Sequence, residues 1–113
     1  MIYEFCAENV TLLEKAMQAG ARRIELCDNL AVGGTTPSYG VTKAAVELAA
    51  NYDTTIMTMI RPRGGDFVYN ELEIAIMLED IRLAAQAGSQ GVVFGVLTAD
   101  KKLDKPNLKK LIA

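Results

Sequence analysis

Two cysteines close two short apolar runs, Ile2-Tyr3-Glu4-Phe5-Cys6 and Arg23-Ile24-Glu25-Leu26-Cys27, each with carboxylates beside the thiol. If these runs are neighbouring strands, about 4.8 Å apart, Cys6 and Cys27 can share a soft ion. Cu(I) is the natural guest for two thiolates without an imidazole. Met57 and Met59 add thioethers that either join such a site or fill a core. The plain alternative for both thiols is packing, because free cysteine also behaves as a small apolar side chain. A second cluster is Arg61-Pro62-Arg63-Gly64-Gly65-Asp66. Here a proline fixes the backbone between two guanidinium forks and the glycines allow close approach, a set that can gather a small anion. The competing use of Arg61 and Arg63 is ion pairing with Glu8, Glu25 and Asp28 at the same rim. Glu8 and Glu25 are also candidate acid/base groups or divalent-metal ligands. The loop from Asp28 to Ser38 contains Gly33 and Gly34, but no Lys-Ser/Thr follows them as a phosphate-binding loop requires. Its hydroxyls at Thr35, Thr36 and Ser38 suit the first turn of the next helix.

Composition removes several chemistries. The 113 residues include no histidine, which excludes Ser-His-Asp and Cys-His nucleophiles and imidazole metal sites within this chain. Twelve basic and fourteen acidic residues are interspersed and sum to −2, so no basic stripe is available for a nucleic acid backbone or an anionic membrane. Two cysteines are far too few for a secreted disulfide scaffold, and the first residues lack the charged and apolar regions of a signal peptide. A reducing cytoplasm is therefore expected. The longest apolar run, at 92–97, is much shorter than the ~18–20 residues of a membrane span.

The punctuation between these clusters sets out the elements that must position them. Residues 2–6 read as a strand, and Asn9 as the cap of a helix with Val10, Leu13, Ala16 and Met17 on one face, ending at Gly20. A second strand at 23–27 is followed by the loop 28–40 and a helix at 41–50 with Val41, Ala44, Ala45 and Leu48 on one side. The β-branched stretch 54–60 is a third strand. After the loop 61–69, Asn70 with Glu73 three residues on forms a capping-box start for a helix running to Gly88. A fourth strand is expected at 91–97 and a fourth helix from Asp104. The alternation βαβαβαβα, with helices as crossovers, calls for a parallel sheet. Gln18-Ala19-Gly20 and Gln86-Ala87-Gly88 echo one another at the ends of the first and third helices.

Strand alternation refines the class. Glu4, Cys6 and Glu8 share one face of the first strand, and Glu25 and Cys27 share one face of the second, opposite Ile24 and Leu26. Met57, Met59 and Arg61 share one face of the third, so carboxylates lie on one face of two consecutive strands. A doubly wound sheet buries both faces under helices, whereas a barrel interior tolerates charge near its C-terminal mouth. The carboxylates therefore favour a (β/α)₈ barrel of the TIM type. The stretches Glu4-Phe5-Cys6, Gly20-Ala21-Arg22-Arg23-Ile24-Glu25-Leu26-Cys27 and Gly33-Gly34-Thr35-Thr36-Pro37-Ser38 with Gly40 occur in order. With Met59-Ile60-Arg61-Pro62-Arg63-Gly64-Gly65-Asp66-Phe67 and Gly91-Val92-Val93-Phe94-Gly95-Val96-Leu97-Thr98, they make a chain that resembles the CutC family, named for copper homeostasis. The resemblance implies a cytoplasmic barrel in which Cys6 and Cys27 match a pair proposed for Cu(I), and a copper-handling role rather than catalysis. The alternatives are a hydrolase- or nuclease-like barrel with an anion or divalent metal at its mouth, or a scaffold without activity of its own. A full barrel takes about 250 residues. The 113 residues are accordingly expected to be one CutC-like domain portion holding the first four βα units. Such a half-barrel is expected to associate with itself or with the remaining half, because its sheet edges are otherwise open.

Overall fold

The computed structural model describes residues 2–112. Its elements run β1 (Glu4–Glu8), α1 (Leu13–Gln18), β2 (Arg23–Cys27), a 3₁₀ turn (Leu30–Val32), α2 (Tyr39–Ala49), β3 (Thr55–Met59), α3 (Glu71–Ala87), β4 (Gly91–Val93) and α4 (Lys105–Ile112). The four strands form one parallel sheet in the order β1-β2-β3-β4, as consecutive βα units of a barrel require. In register, Cys6 lies opposite Glu25, which lies opposite Met57, which lies opposite Gly91. One step towards the C-terminal ends, Glu8 faces Cys27 and Met59 faces Val93.

The helices cover the other face of this sheet. Ala7, Ile24, Leu26 and Ile56 point outward into a core closed by Leu13 and Met17 of α1 and Ala45 and Ala49 of α2. A second cluster joins Ile60 and Val96 to Ile74, Met77 and Ala84 of α3 and Leu111 of α4. Local chemistry fixes the helix ends. The Ser38 hydroxyl accepts from the Val41 amide at 3.1 Å and starts α2. Asn70 and Glu73 exchange side-chain and backbone hydrogen bonds as a full capping box on α3. Gly88 ends α3 at φ 99° in the left-handed region that favours glycine, and its counterpart in the echo, Gly20, takes φ 108° before β2.

Three expectations need correction. Residues 9–12 are turns rather than the start of a helix, because Asn9 and Leu12 both adopt positive φ (54° and 58°). Asn9 is used instead to tie two strand ends. Its amide donates to the Cys27 carbonyl at 2.8 Å and its side chain to Asp28 at 2.9 Å. The first strand consequently runs two residues later than the apolar run suggests, and Val10 is left half exposed. The fourth strand stops at Val93, since β3 ends at Met59 and offers 94–97 no further ladder. Leu97 bonds instead to the Phe67 carbonyl, 2.8 Å away, and bridges to Leu103.

Candidate functional site

The inner face of the sheet carries Glu4, Cys6 and Glu8 from β1, Arg23, Glu25 and Cys27 from β2, Met57 and Met59 from β3, and Gly91 and Val93 from β4. The absent side chain at Gly91 is filled by Met57. A Cβ there would stand 2.6 Å from the Met57 Cε and 2.8 Å from its Sδ. Both thiols thus lie on one face of adjacent strands, but not side by side, because Cys6 faces Glu25 and Cys27 faces Glu8. A diagonal of one strand spacing and two residues of rise separates their Cα atoms by roughly 8 Å. That exceeds what a disulfide spans without backbone movement, and both cysteines are free. A metal held ~2.3 Å from each sulfur separates them by roughly 4.6 Å, over twice an S–S bond, so the diagonal suits a two-coordinate ion better than a disulfide. Among the described residues, no group of three or more cysteines or carboxylates is placed to hold a metal ion. Two thiols on this face are soft atoms, the type of donor that Cu(I) prefers over oxygen ligands.

The two thiols differ in surroundings. Cys6 is exposed, whereas Cys27 is only 1% exposed and its Sγ donates to the Ala7 carbonyl at 3.4 Å. Burial pushes the Cys27 thiol up to about 11, and the neighbouring Cys6, Glu25, Glu8 and Asp28 add to the rise. Cys6 is raised in the same direction, first by burial and then by Glu25 and Glu4. Both sulfurs rest as thiols at neutral pH, in a negative environment that welcomes a cation once the protons leave.

Arg61 continues the inner-face alternation of β3 and is 93% buried, with 7% exposed. It reaches across to the β2–α2 loop. One terminal nitrogen donates to the Val32 carbonyl at 2.6 Å and the Gly34 carbonyl at 3.0 Å, while the other donates to the Gly65 carbonyl at 2.7 Å. Its guanidinium also lies 4.8 Å over the Phe67 ring. Among the described residues no carboxylate pairs with it, and its Nε and the Tyr69 hydroxyl are the buried side-chain polar atoms without a hydrogen bond. Tyr69 is raised by burial, an effect opposed by the adjacent Arg61.

Arg63 takes its acids from its own loop and from α3. Its Nε donates to Glu73 at 2.5 Å and a terminal nitrogen to Asp66 at 3.2 Å, with the Asp66 and Val68 carbonyls accepting further bonds. Glu73 serves the capping box and this pair together, and the Arg63 guanidinium holds its carboxyl below the usual range. Glu8 instead accepts from the Leu30 amide at 2.8 Å, and Asp28 accepts from Asn9 and from the Asn29 amide. The structure therefore brings Cys6, Cys27, Glu8 and Glu25 onto one face and sets both arginines at its rim, where their donors hold loops rather than those carboxylates. Residues that sequence reasoning passed over are Glu73, already marked by its capping spacing, and Tyr69, whose ring lies 5.0 Å under Arg63. Gly34, marked in the sequence as a point of close backbone approach, packs on Cys27 and Met59.

A parallel four-strand, helix-covered half of a (β/α) barrel with two free thiols on its inner face is the class that fold and site define. The comparisons agree: the chain belongs to the CutC family, matching it over residues 1–113. It is 55% identical over 112 residues to a CutC family protein of Streptococcus pyogenes, and 54% identical to one of Enterococcus faecalis, covering 99% of this chain and 54% of each relative. The crystal structure of CutC from Streptococcus agalactiae, a protein named for copper homeostasis, superposes with a TM-score of 0.95 at 49% identity. That match covers 99% of this chain and 53% of the other. The chain thus spans about half the length of the relatives it matches. No helix among the described residues is long and apolar enough to cross a membrane.

Proposed function

We propose that this chain handles Cu(I) for copper homeostasis, holding the ion as cargo between Cys6 and Cys27. The observation that carries this reading is the diagonal of two free thiols on one face of adjacent strands, with the Met59 thioether near Cys27. The name of the structurally similar streptococcal protein supports copper as the metal. Glu8, Glu25, Arg61 and Arg63 act in this reading as the acidic surround and loop supports of the site, not as a catalytic set. Free thiols of this kind belong in a reducing compartment such as the cytoplasm.

An anaerobic competition titration against a chromophoric Cu(I) chelator tests the reading. One equivalent of Cu(I) is expected to be held by the unmodified chain and lost in Cys6→Ser/Cys27→Ser. Equal, weak competition by both proteins would overturn it. Light scattering on the same samples reads how the β1 and β4 edges are closed, since unpaired edge strands template association. A mass above the 12.2 kDa of one chain is expected, and a stable monomer would show that these edges need no partner.

A further inference from the structure

Cys27 is inaccessible for a specific reason. Gly33 and Gly34 pass between it and Arg61, with φ at 92° and 95°. A Cβ at Gly34 would stand 3.3 Å from the Cys27 Cβ, 3.4 Å from its Sγ and 3.6 Å from the Met59 Cε. On the other side, a Cβ at Gly33 would stand 3.2 Å from an Arg61 terminal nitrogen. This backbone roof contributes little apolar packing of its own, since Leu30 and Val32 are both substantially exposed. Polar ties hold it down. They are the Arg61 bonds to the Val32 and Gly34 carbonyls, the Glu8 bond to the Leu30 amide, and the paired Asp28–Thr35 backbone bonds at 2.9 and 2.7 Å. Arg61 is itself anchored through Thr36, which accepts from its amide at 2.8 Å and donates to its carbonyl. A segment with few buried apolar contacts and many polar ties opens locally at much lower cost than the sheet beneath it.

We propose that Arg61 sets access to Cys27: its guanidinium latches the Leu30–Gly34 roof over the thiol, and Cys27 becomes available to a soft metal through local opening of that roof while Cys6 stays accessible throughout. Arg61 is thus a positioning residue that acts on the thiol through backbone carbonyls. Lysine cannot replace it, because a single ammonium lacks the planar fork that spans Val32, Gly34 and Gly65 at once. The identity of the cargo rests on the copper reading above, but the opening itself needs no metal.

The test is alkylation of the metal-free full chain with iodoacetamide, with each cysteine followed by mass spectrometry along a urea series. Cys6 is expected to react without any opening step, at a urea-independent rate somewhat below that of an unperturbed thiol because its thiolate form is disfavoured. Cys27 is expected to react more slowly, at a rate independent of urea until the global transition begins. Arg61→Lys should raise the Cys27 rate by about tenfold or more, the cost of weakening charge-assisted bonds, with Cys6 unchanged. A Cys27 rate that climbs from the lowest urea with the slope of global unfolding overturns the proposal on the unsubstituted chain alone. So does an Arg61→Lys rate equal to that of the unsubstituted chain. Local opening without Cu(I) retention would leave the latch standing and remove copper. Retention without local opening would do the reverse.

Discussion

Between about pH 6 and 8, the affinity of this chain for Cu(I) is expected to rise by about a hundredfold for each pH unit. The metal binds thiolate, yet burial and the surrounding acids keep Cys27 protonated up to about 11 and hold Cys6 above its ordinary value as well. Each sulfur must therefore release one proton to the solvent when the ion enters. Two released protons make the apparent constant vary with the inverse square of proton concentration, so acid opposes binding and base favours it. Chelator competition repeated at stepped pH measures the slope directly. A slope of one logarithmic unit would mean that only one cysteine gives up a proton, and a flat profile would remove thiolate ligation altogether. In the copper reading proposed above, the carboxylates that make the protons hard to lose would also attract the incoming cation, so the site would resist spontaneous thiolate formation without repelling the ion.

The largest stability effect is expected at Leu26. This side chain is wholly buried on the helix-facing side of β2, one position before Cys27, in the cluster that joins the sheet to α1 and α2. Leu26→Ala removes apolar surface from a core that cannot close over the gap, and should lower the unfolding free energy by about 2–5 kcal/mol, read as a lower urea midpoint at unchanged slope. A small domain has little stability to spare, so a loss of this size shifts the whole unfolding curve. Leu26 also makes a useful contrast with Arg61. It weakens the fold without touching the roof over Cys27, so it should leave the urea-independent alkylation of that thiol nearly as it was. A change below about 1 kcal/mol would mean that β2 is not packed as described.

Most of the scaffold could be read from residue order, and the reasons are local. Asn70 with Glu73 marks the start of α3, Gly88 its end, and the β-branched run around Ile56 and Thr58 marks β3, because each depends on neighbours within a few positions. Parity along the strands also placed Cys6, Glu25 and Met57 on a shared face, as the register shows. Readings failed where distant partners decide the outcome. Asn9 looks like a helix cap, but the Cys27 carbonyl and Asp28 claim it across the sheet. Residues 94–97 look like strand, but strand needs a ladder and β3 has already ended. At the rim, charge alone pointed Arg63 towards Glu8, Glu25 or Asp28. The chain instead brings Asp66 and Glu73 to it over much shorter loops. The use of Arg61 on three carbonyls was not legible, since backbone acceptors carry no sequence signature.

The strand order β1-β2-β3-β4 also bears on how the chain reaches this state. Every ladder joins strands that are neighbours in sequence, and no strand waits for a later one to be inserted between two earlier ones. Each βα unit can dock on the edge left by the previous one, so assembly can proceed from the N-terminus as the chain leaves the ribosome. The parallel crossovers still demand closure of a helix-containing loop before each pairing is rewarded, which slows the individual steps. The order thus permits growth from the N-terminus, each new strand taking the edge beside its predecessor. Among the four strands, β4 is the shortest, with three residues, and so adds least through the pairing it makes with β3.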